Sequence, residues 1–317
     1  MSAQHPVWLL TDAATDVHAA PGHPERPSRR AAVAEGIRDA AVDRLAEPAI
    51  EPATDAQILA VHDGALLASL READADGAAW LDPDTYVVGG SWAAAALAAG
   101  ATVQAAKAVA AGEAEIAFAV VRPPGHHASA RRASGFCLLN NVAIAVAALR
   151  ADGLARRIAV VDWDVHHGDG TQAIFDEDAD LWYASTHQWP LFPGTGLAEE
   201  MGKGPAVGTK QNRPLAPGAG DDEFVRAWLD DLLPAIEVFE PDAILVSAGY
   251  DAHRSDPLAN LSVTEEGFAA VARALGALSA RLRHPGVALT LEGGYDLDAL
   301  RASTAATVRE LLVGRGA

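Results

Sequence analysis

The ten residues from Val161 to Gly170 carry the densest chemistry in the chain. Asp162, Asp164, His166, His167 and Asp169 place three carboxylates and two imidazoles within eight positions. They directly follow the apolar run Ile158-Ala159-Val160-Val161. Ionised groups at that density repel one another and are costly to bury unless a positive charge offsets them. A divalent metal is the simplest source of that charge. Side chains alternate faces along an extended chain, so Asp162, Asp164 and His166 point the same way where strand geometry persists. Oxygen and nitrogen donors without thiolate suit Zn²⁺ in a catalytic site, with Fe²⁺, Mn²⁺ and Co²⁺ as close competitors. The alternative is a solvated acidic loop, which has no reason to follow a buried strand with such regular alternation.

A catalytic zinc takes three protein ligands and keeps a position open for water. Asp164 and His166 supply two. Asp251, after the apolar run 243–247, is a candidate third, although a turn or helix-cap aspartate looks the same in sequence. Asp256, followed by Pro257, reads as such a cap. His126 and His127 follow Arg122-Pro123-Pro124-Gly125. They are either a surface turn or, with Asp162 and Asp169 to spare, two imidazole–carboxylate pairs. A carboxylate that accepts the Nδ1 proton fixes the tautomer and raises basicity. Water attacking a carbonyl needs a base, and the leaving group needs an acid; one histidine can serve both in turn. Tyr295 ends a Gly293-Gly294-Tyr295 turn. It is a donor to a developing oxyanion or an aromatic packed over the turn.

These residues need a frame that gathers distant segments. Short apolar runs at 7–11, 116–121, 158–162, 181–185, 243–247 and 287–291 read as strands. Helical patterns fall near 28–44, 91–111, 141–150, 221–239, 264–282 and 298–312. Strand alternating with helix predicts an α/β fold, a mainly parallel central sheet with helices on both faces, in one domain over 1–317. Four predicted strands run into the reactive segments at 122–127, 162–169, 248–251 and 292–295. Parallel sheets gather ligands outside the carboxyl ends of their strands, which places the site there. The Pro/Gly-rich stretch 192–220 is too long for an ordinary connection and is expected to shape a site rim.

The 24 Lys and Arg against 43 Asp and Glu give a formal charge of −19. Such a surface disfavours nucleic acid and anionic membranes and is compatible with cationic substrates. Cys137 is the only cysteine, which excludes an intrachain disulfide and a Cys-rich zinc site. The Ala-rich stretch 91–111 comes nearest to a membrane span. Gln104 and Lys107 interrupt it, and a packed helix is the expectation. With no secretory signal evident at the N-terminus, the reading is a soluble cytoplasmic protein.

Taken in order, the motifs resemble the zinc-dependent histone deacetylase superfamily, including bacterial deacetylase-like amidohydrolases and acetylpolyamine amidohydrolases. The likeness runs from Gly22-His23-Pro24-Glu25-Arg26-Pro27 through Arg122 to His127 and Gly135-Phe136-Cys137. It continues through the Asp/His segment, Phe192-Pro193-Gly194-Thr195-Gly196, Asp251 to Leu258 and Glu292 to Tyr295. The resemblance implies one Zn²⁺ on Asp164, His166 and Asp251. It implies His127 as base and acid oriented by Asp169, His126 with Asp162 as its electrostatic partner, and Tyr295 as donor to the substrate carbonyl. Phe136 and Phe192 resemble the walls of an acyl-lysine tunnel, Gly135 its backbone acceptor, and Asp84 an acidic rim residue. Arg26 resembles an inner-channel arginine thought to handle acetate. The backbone carbonyls of Asp162, Asp164 and His166, with the Ser185 hydroxyl and the Thr186 carbonyl, resemble a structural K⁺ or Na⁺ site. Leu258 stands where some polyamine-specialised relatives carry glutamate.

The sequence departs from the pattern at Asn212-Arg213-Pro214-Leu215, where a charged residue replaces an apolar one and makes a strand uncertain. The implied activity is removal of acetyl or a related acyl group from acyl-lysine in peptide or protein, with acetylpolyamines or other small amides as the alternative. A binuclear manganese ureohydrolase is a remoter reading, because it needs more bridging carboxylates and leaves Tyr295 idle. A catalytically silent acyl-binding module would show a damaged ligand, base or donor position, and none is seen.

Overall fold

Aliphatic runs bounded by polar or glycine positions become strands because β-branched side chains pack well on a pleated, doubly covered surface. The computed structural model describes residues 6–316. Its strands are β1 (Val7–Leu10), β2 (Leu45–Ala46), β3 (Ala78–Trp80), β4 (Tyr86–Val88), β5 (Ile116–Ala119), β6 (Ile158–Asp162), β7 (Leu181–Gln188), β8 (Lys210–Leu215), β9 (Ala243–Ala248) and β10 (Val287–Leu291). The helices are α1 (Pro27–Ala40), α2 (Asp55–Leu59), α3 (Gly64–Ala75), α4 (Ser91–Ala110), α5 (Asn141–Ala151), α6 (Asp169–Ile174), α7 (Asp221–Arg226), α8 (Leu233–Phe239), α9 (Glu265–Arg281) and α10 (Leu297–Arg315).

Eight strands form one parallel sheet in the order β2-β1-β5-β10-β9-β6-β7-β8, and β3 and β4 form a small antiparallel pair. The side-chain period of two divides the core. Ile158 and Val160 pack with α3, α4 and α5 on one face, while Ala159 and Val161 pack with α1, α9 and α10 on the other. The expected α/β architecture is therefore the observed one. The four strands that lead into the reactive segments, β5, β10, β9 and β6, are consecutive neighbours at the centre of the sheet. Their carboxyl ends lie side by side, so segments far apart in sequence emerge together.

The Ala-rich helix α4 is long and apolar enough to cross a membrane, yet 72% of its most apolar window is buried within the fold. Small side chains let it lie close to β5 and β10. Two differences from the sequence expectation have local causes. Strand β8 contains the irregular Asn212–Leu215 segment. Its polar residues find partners inward: Lys210 Nζ donates to the Leu181 and Asp178 carbonyls at 2.8 and 3.1 Å, and Asn212 Nδ2 to Gln172 Oε1 at 2.8 Å. Pro214 is tolerated because β8 is an edge strand, where a missing N–H breaks no ladder. Part of the predicted long loop is thus strand. The predicted helix 221–239 is interrupted by a π-helical stretch, Ala227–Leu232, just before Pro234. The wider turn accommodates a ring that would clash with the preceding turn.

Helices α9 and α10 approach backbone to backbone. A Cβ on Gly276 would lie 2.4 Å from the Leu311 carbonyl oxygen. Overpacking costs about 1–3 kcal/mol, more than the roughly 1 kcal/mol of helix propensity that alanine regains. Gly276→Ala is expected to lower Tm without changing metal content; an unchanged Tm would mean that the two helices can separate freely.

Candidate active site

Asp164 and His166 leave the end of β6, and Asp251 leaves the end of β9 beside it. Their ligand atoms lie within 4.8 Å of one another. His166 Nδ1 is 3.1 Å from Asp164 Oδ1 and 3.2 Å from Asp251 Oδ2. The carboxylates are held by backbone N–H groups, Gly293 N to Asp164 Oδ2 at 2.7 Å and Val165 N to Asp251 Oδ1 at 2.8 Å. Asp251 Oδ2 is buried and, despite its closeness to His166, takes no well-directed hydrogen bond. Glycines make the crowding possible. A Cβ on Gly249 would stand 2.0 Å from Asp164 Oδ2, and one on Gly293 2.0 Å from Asp251 Oδ2. Burial and the nearby Asp164 charge push the Asp251 carboxyl above its usual range. A divalent cation fits this set: two carboxylates, one imidazole and an orphaned buried oxygen.

His126 and His127 follow β5 and face this triad. His126 Nδ1 lies 3.1 Å from Asp162 Oδ2, and His127 Nδ1 lies 2.8 Å from Asp169 Oδ1. The two pairs are biased in opposite directions. Burial opposes a charge on His126, but the carboxylates of Asp164, Asp162 and Glu292 hold its pKa well above the ordinary histidine value. Burial and the neighbouring His126 charge pull His127 down to about 3. His127 is therefore neutral, and with Asp169 at Nδ1 its Nε2 remains free to accept a proton. Asp169 is the first residue of α6.

Tyr295 is 7% exposed, and its ring meets Phe136 edge-on at 5.9 Å. Burial raises the phenol pKa well above its usual value, so it keeps its proton as a donor. Asp256, read from sequence as a cap, does cap its own turn through Leu258 N at 2.9 Å. It also accepts the Tyr295 backbone N–H at 2.7 Å.

These residues open on a cavity of about 220 Å³ lined by Asp84, Pro124, His126, His127, Gly135, Phe136, Asp164, His166, Leu191, Phe192, Leu258, Gly293 and Tyr295. Phe192 meets the His127 ring at 5.0 Å, and Phe136 takes a left-handed φ of 68° that turns its ring inward. Gly135 is also left-handed, and a Cβ there would stand 2.5 Å from His127 Cδ2. Its carbonyl takes the Cys137 thiol at 3.3 Å. Asp84 is exposed at the rim and Leu258 is half-buried. Ser185, whose hydroxyl lies 2.9 Å from His187 Nδ1, pairs in register with Asp162 across β6 and β7, and Thr186 follows it.

Arg26 is corrected. It is exposed and caps the start of α1, lining a separate pocket with Pro24 and Pro257 that Tyr295 also borders. The inner arginine is Arg29, fully buried, with its guanidinium 4.8 Å above the Tyr295 ring. Arg26 is the extended residue before the helix, whereas Arg29 lies in its first turn on the buried face.

Residues 23–311 match the family described as "Histone deacetylase domain". The chain belongs to the histone deacetylase family. It is 40% identical over 283 residues to a "Probable deacetylase" of Archaeoglobus fulgidus, covering 88% of this chain and 78% of that protein. It is 39% identical over 284 residues to "Histone deacetylase-like amidohydrolase" of Pseudomonas aeruginosa, covering 87% and 73%. Among solved structures it resembles the HDA15 HD domain, with a TM-score of 0.91, 35% identity, and coverage of 98% of this chain and 88% of that one. This deacetylase-family enzyme therefore acts on acetylated amines or proteins in general.

Several of the deacetylase's supporting residues were absent from the sequence-based assignment. Glu292 is buried and accepts from Gly125 N at 2.7 Å, His126 N at 3.1 Å and Ser247 Oγ at 3.2 Å, fastening the histidine turn to β9 and β10. Burial pushes its carboxyl up to about 7. Glu25 joins Arg29, at 2.9 Å, to Arg122, and Arg29 also donates to the Gly294 and Glu292 carbonyls. Glu25, Arg122 and Glu292 stood inside recognised motifs, but only their spatial convergence reveals the tethering.

Removing one partner of a buried, hydrogen-bonded charge cluster costs roughly 3–5 kcal/mol, whereas ordinary surface changes stay within about 0.5 kcal/mol. Arg29→Met should destabilise strongly in denaturant melts, and Arg26→Ala should melt like the parent. The reverse ranking would restore Arg26 as the inner arginine.

Proposed function

We propose that this enzyme is a zinc-dependent amidohydrolase that removes acetyl groups from lysine side chains in peptides or proteins. The observation that supports it is the form of the cavity. Its lining includes His127, Tyr295, Asp164 and His166, with Asp251 grouped behind the last two, and its walls are the rings of Phe136 and Phe192. An aromatic-walled passage fits an apolar four-carbon stem, and Asp84 at the rim can accept a backbone N–H. Zinc held by Asp164, His166 and Asp251 supplies Lewis acidity toward water and toward the amide carbonyl. His127 Nε2 takes a proton from the attacking water as the new C–O bond forms. Tyr295 Oη–H donates to the carbonyl oxygen as it gains negative charge. As the C–N bond breaks, His127 returns the proton to the departing amine. His126, paired with Asp162, is the electrostatic partner beside the developing anion. The carbonyls of Asp162, Asp164 and His166, with Ser185 and Thr186, are the proposed seat of a K⁺ or Na⁺ ion; the in-register pairing of β6 with β7 supports this.

Leu258 lines the passage without a charge, which favours acyl-lysine over a polyamine. The ureohydrolase reading needs further carboxylates for a second ion. Asp162 and Asp169 are already engaged with His126 and His127.

The test is a hydrolysis panel on purified protein with zinc quantified. It compares acetyl-, propionyl- and longer acyl-lysine peptides with acetylputrescine, acetylspermidine and acetylcadaverine. Faster turnover of the acetyl-lysine peptides, with one zinc per chain, is expected; a preference for acetylpolyamines would reverse the substrate choice.

Point variants test the roles. Tyr295→Phe should lower kcat roughly 10²–10³-fold, the usual scale for one oxyanion donor, with a much smaller change in KM. His127→Ala should lose roughly 10²–10⁴-fold while keeping zinc, and more than His126→Ala. Near-normal kcat in Tyr295→Phe would remove the donor role.

A further inference from the structure

Asp256 is an unusual carboxylate. It is 7% exposed, and among the described residues no arginine or lysine forms a salt bridge with it, although the Arg29 charge lies near enough to act on it. Its two oxygens are divided between two backbone N–H groups from different parts of the fold. Oδ1 takes Leu258 N at 2.9 Å, and Oδ2 takes Tyr295 N at 2.7 Å. Its own N–H donates to the His253 carbonyl at 2.9 Å, which fixes the turn it stands on. One side chain thus ties the turn after β9 to the turn after β10.

The tied residues share a second property. Leu258 lines the cavity that also holds His127, Asp164 and His166. Pro257 lines a second pocket of about 320 Å³, with Ala20, Gly22, His23, Pro24 and Arg26. Tyr295 borders both spaces. Tyr295 and the Pro257–Leu258 turn therefore belong to a partition between the two. On the far side Arg29 supports the Tyr295 ring and donates to the Gly294 carbonyl, but no other hydrogen bond to the Tyr295 backbone N–H is present among the described residues.

We propose that Asp256 is a positioning residue that holds Tyr295 at the distance needed to donate to the substrate carbonyl and keeps the partition closed against longer acyl chains. This rests on the reading of Tyr295 as the carbonyl donor. Two N–H groups facing one carboxylate require two acceptors. An asparagine offers one acceptor and turns an NH₂ toward the other N–H, so one tie becomes a donor–donor clash. The Tyr295 backbone then shifts while its hydroxyl remains. A misplacement of about 1 Å at a reacting group costs on the order of 10²-fold in rate.

The experiment is a double-mutant cycle of Asp256→Asn with Tyr295→Phe, read on acetyl- and butyryl-lysine peptides. Asp256→Ala serves as a second variant, and zinc content and Tm are measured throughout. Active parent enzyme is the entry condition; an inactive parent, loaded with zinc, defeats the proposed function and not this inference. In the parent background Asp256→Asn should lower kcat for the acetyl peptide about 10–100-fold with KM changed less than about threefold. In the Tyr295→Phe background the same change should cost less than about twofold, because the donor it positions is gone. The butyryl-to-acetyl ratio of kcat/KM should rise as the partition loosens. Additive losses, an unchanged ratio, or loss of zinc in Asp256→Asn would each overturn the proposal. If Asp256→Asn fails to fold, the cycle is run with Asp256→Ala under the same criteria.

Discussion

The whole site answers one electrostatic problem, the meeting of Asp164 and Asp251 at the ends of adjoining strands. Their ligand atoms, with that of His166, lie within 4.8 Å of one another. Two like charges at that separation repel by roughly 3–4 kcal/mol at an effective dielectric constant of about 20. The fold tolerates this by surrounding the pair with backbone N–H donors from Gly293 and Val165 and by removing Cβ atoms at Gly249 and Gly293. The residual imbalance is what a bound cation relieves. Metal affinity is thus stored in the fold as unrelieved repulsion; the same carboxylates raise the His126 pKa, whereas burial and the His126 charge lower that of His127.

That crowding also dictates the surrounding buried charges. The histidine turn must approach the carboxylates closely without drifting, and its backbone is fastened by Glu292 through Gly125 N and His126 N. The Tyr295 turn is held by Arg29 from one side and Asp256 from the other. Arg29 is itself held by Glu25, which also binds Arg122 at the start of the histidine turn. The tethers form a closed circuit: Arg122, Glu25, Arg29, the β10 turn, Glu292 and back to the histidine turn. Each link is a charged or carbonyl group with a specific partner, so the catalytic side chains are located by backbone anchoring and not by packing alone.

Much of this was legible in the sequence, for identifiable reasons. Strands β6 and β10 have the expected bounds because they are buried on both faces and read as continuous apolar runs. The segment after β6 was legible because charge density beside a buried strand has few innocent explanations. Strand β8 was not, because its residues satisfy their polar groups with Gln172, Leu181 and Asp178 instead of by alternating hydrophobicity. The Arg26 assignment failed at a helix boundary. Arg26 is the extended N-cap residue and Arg29 lies on the buried face of the first turn of α1, a boundary the motif alone does not mark. Asp256 was half legible: the cap on Leu258 is local in sequence, whereas the bond to Tyr295 spans 39 positions and leaves no periodic trace.

The distribution of burial separates chemistry from selection. His126, His127, Asp164, Asp251, Glu292 and Tyr295 are buried, and each is held by a hydrogen bond or ion pair to another secondary-structure element or its turn. Asp84 and Phe192 at the mouth are exposed and sit on loops. Groups that must meet a transition state to within tenths of an ångström gain from rigid support, while groups that sort substrates tolerate looser placement. Changes at Asp84 or in the Phe192 loop can therefore retune which acyl amine enters without altering the strand-end geometry. Changes among the buried tethers alter the geometry itself. The inner end defines the reaction class, and the rim is where relatives built on the same strand ends can diverge in substrate.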